Sequence, residues 1–462
     1  MTKKFVQVFE TSKAANIAFH HREQVEFVDD VSEIEMNLLM VYQDIEYQTI
    51  NGFGGAFTES AAINYFNMNL DVRAQIREAY FGKSGLRYTL GRTHIGSCDF
   101  SLGNYSYTTA DDTQLAKFSI ERDSEKLLPF IHECNDFAGK SIKLMVSPWS
   151  PPAWMKDNQH LLAGGRLLPE HYANYATYLI KYLQAYQAEG FMIEYISVQN
   201  EPKAVQTWES CIYTAEEELV FIRDHLYPAL VAANLTAVKI IIWDHNKERA
   251  FERPRQILSD PKVYAMVHGI GVHWYSGDHF DNLRLCKEFF PDKELIFTEG
   301  CVELSKDAPT NSGGNELVEV SNSPWEFGEK YAHDLIGNFN NGLSSYIDWN
   351  LLLDTQGGPN HVGNYCSAPI ICDAVNQRII FQPSYYFIGH LSKFVPAGSK
   401  RIAHSSFTNK LESVAFITPD EQVVVVVLNS FEKDIPIVLK DVASQEVASL
   451  VIRKQSIITL LY

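Results

Sequence analysis

Two glutamates each follow an apolar run. Glu201 comes after Phe191 to Ile196 in the stretch SVQNEP, and Glu299 ends ELIFTE. A carboxylate at the end of a buried strand has lost bulk water on one side, so it is paired or used. Pro202 steers Glu201 away from helical backbone, which leaves it extended at a strand end. Two carboxylates facing each other at about 5 Å are what retaining glycoside hydrolysis needs. One attacks the anomeric carbon. The other protonates the leaving oxygen and then takes a proton from water. Taken singly, either glutamate fits a helix cap or a loop as well.

Other polar and aromatic residues recur near strand ends. Arg92 and Asp99 bracket RTHIGSCD. Asp99 could accept bonds from vicinal hydroxyls, and Arg92 could hold a glutamate ionised. Asn200 could donate to a ligand hydroxyl. Trp149 in SPWSPP and Trp349 in IDWN have faces that suit a sugar ring, and core packing equally. His273 and Tyr275, in VHWYSG, could hydrogen-bond a catalytic carboxylate. The charge of Glu299 is expected to raise the pKa of Glu201. His94, His160 and His361 are isolated, so no metal and no other cofactor is assigned. GGPN at 357–360 is a turn and not a phosphate loop, and no GxSxG elbow occurs.

Such residues need a scaffold that converges strand ends. Strand-like runs are expected at 87–90, 142–146, 195–198, 240–243, 270–273, 295–298 and 345–349. Helical stretches lie between several of them, among them 124–138 and 169–188. Thr214 with Glu217 reads as a capping box. Alternating strands and helices over some 300 residues predict a (β/α)8 barrel, or else a doubly wound sheet. Before residue 51 and after residue 393 the pattern is short strands only. The expected domains are therefore 1–50 and 394–462, forming one β-sandwich from both termini, with a catalytic barrel over 51–393.

The chain has 462 residues, 46% apolar and 21% charged, with a formal charge of −18. That balance opposes nucleic acid and anionic membrane surfaces. No segment approaches the roughly 20 apolar residues of a membrane span. MTKKFVQVFETSK lacks an apolar leader core, and seven cysteines stand without CxxC pairs. A cytoplasmic protein is expected, or one exported without a cleaved signal. The sequence leaves the oligomeric state open.

GFGGAFTESAA, SCDFSLGNYSY, SPWSPPAWMK, SVQNEP, HWY, TEGC, DWNLLLD and GGPNHVGN together resemble glycoside hydrolase family 30, in its glucosylceramidase branch. The likeness runs from about residue 45 to the end. It implies a barrel with a side β-sandwich and retaining hydrolysis of a β-glycoside, either glucosylceramide-like or small. It implies Glu201 as acid/base and Glu299 as nucleophile. Arg92, Asp99, Trp149, Asn200, Trp349 and Asn364 would line the sugar pocket, and His273 and Tyr275 would support the nucleophile. Two features depart from the animal lysosomal enzymes: a shorter loop after NEP, and His361 where those enzymes carry a tryptophan. Same-family β-xylosidase, β-fucosidase or β-1,6-glucanase activity is the alternative, and a sugar-binding pseudo-enzyme a remoter one.

Overall fold

The computed structural model describes residues 4–31, 35–109, 112–304 and 324–462. Met1 to Lys3, part of the stretch read for a leader, lie outside them.

Eight parallel strands close into a barrel: Gly52–Phe57, Leu90–Ile95, Lys143–Pro148, Met192–Ser197, Lys239–Asn246, Val267–His273, Glu294–Glu299 and Leu343–Asp348. The first strand carries no β-branched residue and escapes a periodicity reading. Its glycines are there for packing: a Cβ on Gly54 would sit 2.2 Å from the carbonyl oxygen of Leu90. The strand expected at 87–90 begins at Leu90 instead, because Arg87 turns with φ +58°. Arg92 is consequently inside the strand rather than past its end. The helix expected from 124 is an α-helix over Leu127–Ala138, preceded by a 3-10 turn at Asp123–Glu125. The capping box at Thr214 and Glu217 forms, with each side chain bonded to the other's backbone. A three-stranded sheet at Leu352–Asp354, Ile370–Asp373 and Arg378–Phe381 has no counterpart in the sequence reading.

The barrel interior alternates with the period of two that a strand imposes. Leu90, Met145, Tyr195, Ile241, Ile296 and Ile347 form a buried apolar plug. Two residues further along their strands, Arg92, Ser147, Ser197 and Thr298 form a polar layer toward the mouth.

A second domain is an eleven-stranded sheet assembly drawn from both termini. Phe5–Ser12 pairs with Ser456–Leu461, and Leu38–Thr49 pairs with Lys400–Ser406. Its own core includes Val6, Val41, Val425 and Ile458. The helix Pro383–Ser392 packs against its strands. Among the described residues no helix is long and apolar enough to cross a membrane.

Candidate active site

Arg92 organises the mouth. Nε donates to Ser147 Oγ at 3.1 Å, Nη1 to Thr298 O at 2.8 Å and Glu299 Oε2 at 3.0 Å, and Nη2 to Asn200 Oδ1 at 2.8 Å and Asp244 Oδ2 at 3.0 Å. All five guanidinium hydrogens are thereby used. The guanidinium carbon lies 4.9 Å from the Trp149 ring centroid and 5.7 Å from that of Trp349. The two tryptophans stack on each other at 5.2 Å and are 2% exposed. They are buried, as in the packing reading, but at the floor of the mouth rather than in the main core.

Glu299 accepts on both oxygens, from Arg92 and from Tyr275 Oη at 3.0 Å. Glu201 is not extended at a strand end as Pro202 suggested: it lies four residues past Ser197, on left-handed backbone at φ +47°. Such a conformation costs on the order of 1–3 kcal/mol and recurs at functional sites. Its Oε1 is 3.2 Å from His273 Nδ1, whereas Glu299 Oε1 is 4.0 Å from that nitrogen. His273 thus bonds Glu201, not Glu299, and only Tyr275 supports Glu299 as expected. Asn200 commits its oxygen to Arg92, leaving its amide nitrogen to donate to a ligand. Asp99 accepts from Asn364 Nδ2 at 3.1 Å, and burial pushes its carboxyl up, aided by the charge of Glu299.

Asp244 is the member that sequence reading missed. Trp243 and Asp244 both have positive φ, +69° and +45°, and pairing to the next strand slips between Ile242 and His245. That bulge breaks the alternation and turns Asp244 inward. Its carboxylate accepts from Arg92, from Ser197 Oγ at 2.6 Å, from Thr298 Oγ1 at 2.6 Å and from His273 Nε2 at 3.1 Å. An acceptor so loaded is ionised, and it assigns a hydrogen to His273 Nε2. One further proton is then shared between His273 Nδ1 and Glu201 Oε1. Burial pulls the His273 pKa down, but Glu299, Asp244 and Glu201 outweigh it and raise it to about 9. Burial pushes Glu201 up, yet His245 and His273 more than offset that and hold it below the usual carboxylate range. Burial raises Glu299 against the pull of His273 and Arg92. The expected rise at Glu201 is therefore reversed. The reason is two histidines beside it, one assigned to the other glutamate and one unnoticed.

Two more buried polar residues went unread. Lys156 bonds Ser150 Oγ, Leu161 O and Ser210 O, a structural tie across loops. Glu209 accepts from Asn104 Nδ2 at 2.7 Å, and Asn104 also reaches His361 Nε2 at 3.1 Å. His361 Nδ1 donates to Ser101 O at 2.8 Å. His94, held by Gly96 O and the backbone N–H of Glu59, is structural. A Glu or Lys in a loop carries no periodicity, so Glu209 went unmarked and Lys156, though inside SPWSPPAWMK, was given no role.

Residues 50–395 match the family profile described as the glycosyl hydrolase family 30 TIM-barrel domain, and residues 398–460 match the family 30 beta sandwich domain. Over 424 residues the chain is 34% identical to the lysosomal acid glucosylceramidase of Mus musculus, covering 87% of this chain and 79% of that one. The crystal structure of SrfJ from Salmonella typhimurium superposes with a TM-score of 0.92 at 37% identity, covering 99% of both chains. An endo-beta1,6-glucanase superposes with a TM-score of 0.85 at 27% identity, again over 99% of both.

Proposed function

The chain belongs to glycosyl hydrolase family 30 and is a retaining β-glycosidase, and from that premise we propose that Glu299 is its nucleophile and Glu201 its acid/base. The observation that carries the assignment is the shared nitrogen of His273. It lies 3.2 Å from one carboxylate and 4.0 Å from the other, at the mouth where the strands converge.

Glu299 attacks the anomeric carbon as the carboxylate, its charge held by Arg92 on one oxygen and Tyr275 on the other against the burial that raises its pKa, while the proton for the leaving group rests on the His273 side of the Glu201 pair. A C–O bond to its carboxylate forms as the bond to the aglycone breaks. Glu201 gives the leaving oxygen the proton it shares with His273. Water then enters on the same face, Glu201 takes its proton, and the glycosyl–carboxylate bond breaks to release the β-anomer. His273 holds the shared proton between turnovers, and Asp244 fixes its ring. Asn200, Asp99 and Asn364 hydrogen-bond the sugar, Tyr275 orients Glu299, and Trp149 and Trp349 form the floor.

The glycone is a terminal β-glucosyl residue on a glucosylceramide-like or small aglycone. The mouse relative's name supports the first, and with it a part in sphingolipid turnover. A β-1,6-linked glucan is the second reading. It is supported by the named activity of the 27% identical neighbour and by the polar group Glu209, Asn104 and His361 near Asp99. Seven unbridged cysteines support a reducing, cytoplasmic setting.

Incubation with 2-deoxy-2-fluoro-β-glucosyl fluoride should leave a covalent adduct on the peptide containing Glu299, read by mass spectrometry. An adduct on any other carboxylate sinks the assignment. Rates on glucosylceramide in detergent, β-1,6-glucan and short aryl glucosides separate the aglycones.

A further inference from the structure

Glu201 faces two imidazoles where acid/base chemistry needs one. His273 Nδ1 is 3.2 Å and His245 Nδ1 3.4 Å from Glu201 Oε1, and the three atoms lie within 4.8 Å of one another. His245 arrives there through the same bulge that turns Asp244 inward. Its Nδ1 is buried and forms no hydrogen bond, the 3.4 Å approach to Glu201 being poorly aligned. A buried polar nitrogen without a partner destabilises the fold, so it is kept for something else. The hydrolysis above does not use it.

We propose that Glu201, His245 and His273 form a binding site for a borderline divalent cation of the zinc class, and that its occupation silences the hydrolysis. Two imidazole nitrogens and one carboxylate oxygen are a donor set of open zinc sites. Ligands at about 2.0–2.1 Å on a tetrahedral ion stand about 3.3 Å apart, close to the two measured N···O separations. His273 already has the outer partner that metal-bound histidines use, Asp244 Oδ1 at 3.1 Å from Nε2. Asp244 and Glu299 share one guanidinium and Glu201 stands across His273 from them, so three carboxylates meet at the mouth and favour a bound cation. The side chains of His245 and Glu201 are 11% and 12% exposed, which gives an ion entry from the mouth. Binding displaces the proton shared by Glu201 and His273 and ties up the oxygen that would carry it to the leaving group. A fourth position remains for water.

Calorimetric titration of the full chain with zinc chloride should show one site per chain with a micromolar or tighter Kd. His245→Ala should weaken it at least tenfold, with circular dichroism checking the fold. Cobalt(II) bound to the wild-type protein should give the intense visible bands of a four- or five-coordinate ion, which tests the site even where a variant does not fold. Zinc should slow aryl glucoside hydrolysis over the concentration range in which it binds, and EDTA should restore it. Absent binding, an unchanged affinity in folded His245→Ala, weak six-coordinate cobalt bands, or full activity at saturation would each overturn the proposal. Because the binding arm needs no turnover, its failure is distinct from a failure of the glycosidase assignment.

Discussion

Two of the fully buried histidines among the described residues are driven to different protonation states by their surroundings. His273 sits at the barrel mouth, and His390 sits where the helix Pro383–Ser392 meets the terminal strands of the sandwich. Burial pulls both pKa values down. At His390 it wins, reaching about 3, with Lys393 adding to it. At His273 three carboxylates reverse it, to about 9. The hydrogen bonds agree. Thr459 Oγ1 gives its hydrogen to His390 O, so it can only accept from Nδ1 at 2.8 Å. Thr11 Oγ1 accepts from the N–H of Phe19 and keeps its own hydrogen to give to Nε2, 2.9 Å away, the nitrogen left bare when Nδ1 carries the ring's hydrogen. His390 is thus satisfied as the neutral ring, whereas Asp244 and Glu201 surround His273 with acceptors. The seam uses a buried histidine to join two domains. The mouth uses one to keep a proton mobile, and it also holds a residue like Trp243 at positive φ.

If that contrast is right, changes at the mouth should cost rate and leave the fold standing. The largest effect is expected at Glu201. Glu201→Ala should slow alkyl glucosides by about 10²–10⁴-fold, the usual share of general acid catalysis. Dinitrophenyl glucoside, whose departing oxygen hardly needs a proton, should keep its first step. Azide, which needs no base, should restore turnover of the activated substrate and yield β-glucosyl azide. Equal slowing of both substrates with no azide rescue would remove Glu201 from the role.

Trp349 sharpens the comparison because it belongs to both descriptions, being 2% exposed and yet stacked on the mouth's Arg92 and Trp149. Trp349→Ala should lower kcat/KM more than tenfold, an apparent loss above about 1.4 kcal/mol. A variant that melts early without kinetic change would place it with the seam, as core.

How much of this was legible in the sequence follows the same division. Glu299 could be read because it ends an apolar run at a regular strand end, and Glu201 because it follows such a run in an Asn-Glu-Pro stretch, four residues past the strand end. Arg92, Asp99, Asn200, Tyr275 and Asn364 could be named, though not their partners. Asp244 and His245 were illegible because a bulge at Trp243 changes which side chains face inward, and a bulge leaves no periodicity. The first barrel strand was hidden because close strand packing selected glycine over the residues that mark a strand. The two-domain plan showed clearly, since composition shifts at both ends of the barrel. His390 gave no sign of itself, for a seam is made by residues far apart in the chain.

The smallest expected effect lies at that seam. His390→Asn should leave kcat/KM near wild type and cost about 1–3 kcal/mol of stability at pH 8, since Thr11 or Thr459 loses a buried partner. Its pH dependence is the sharper test. The folded pKa is depressed, to about 3, against an unfolded value near 6.5. Stability from a neutral His390 is therefore complete above about pH 6.5 and is lost as pH falls toward 3, where the unfolded chain binds the proton first. By pH 5 that loss is on the order of 2 kcal/mol in the wild type and absent in the variant. Urea denaturation of both proteins at pH 8 and pH 5 should show the gap between them narrowing by about that amount. An unchanged gap would mean that His390 titrates as it does in water. Burial beside two hydroxyls would then not suffice to keep a histidine neutral, and the contrast with His273 would lose its physical basis.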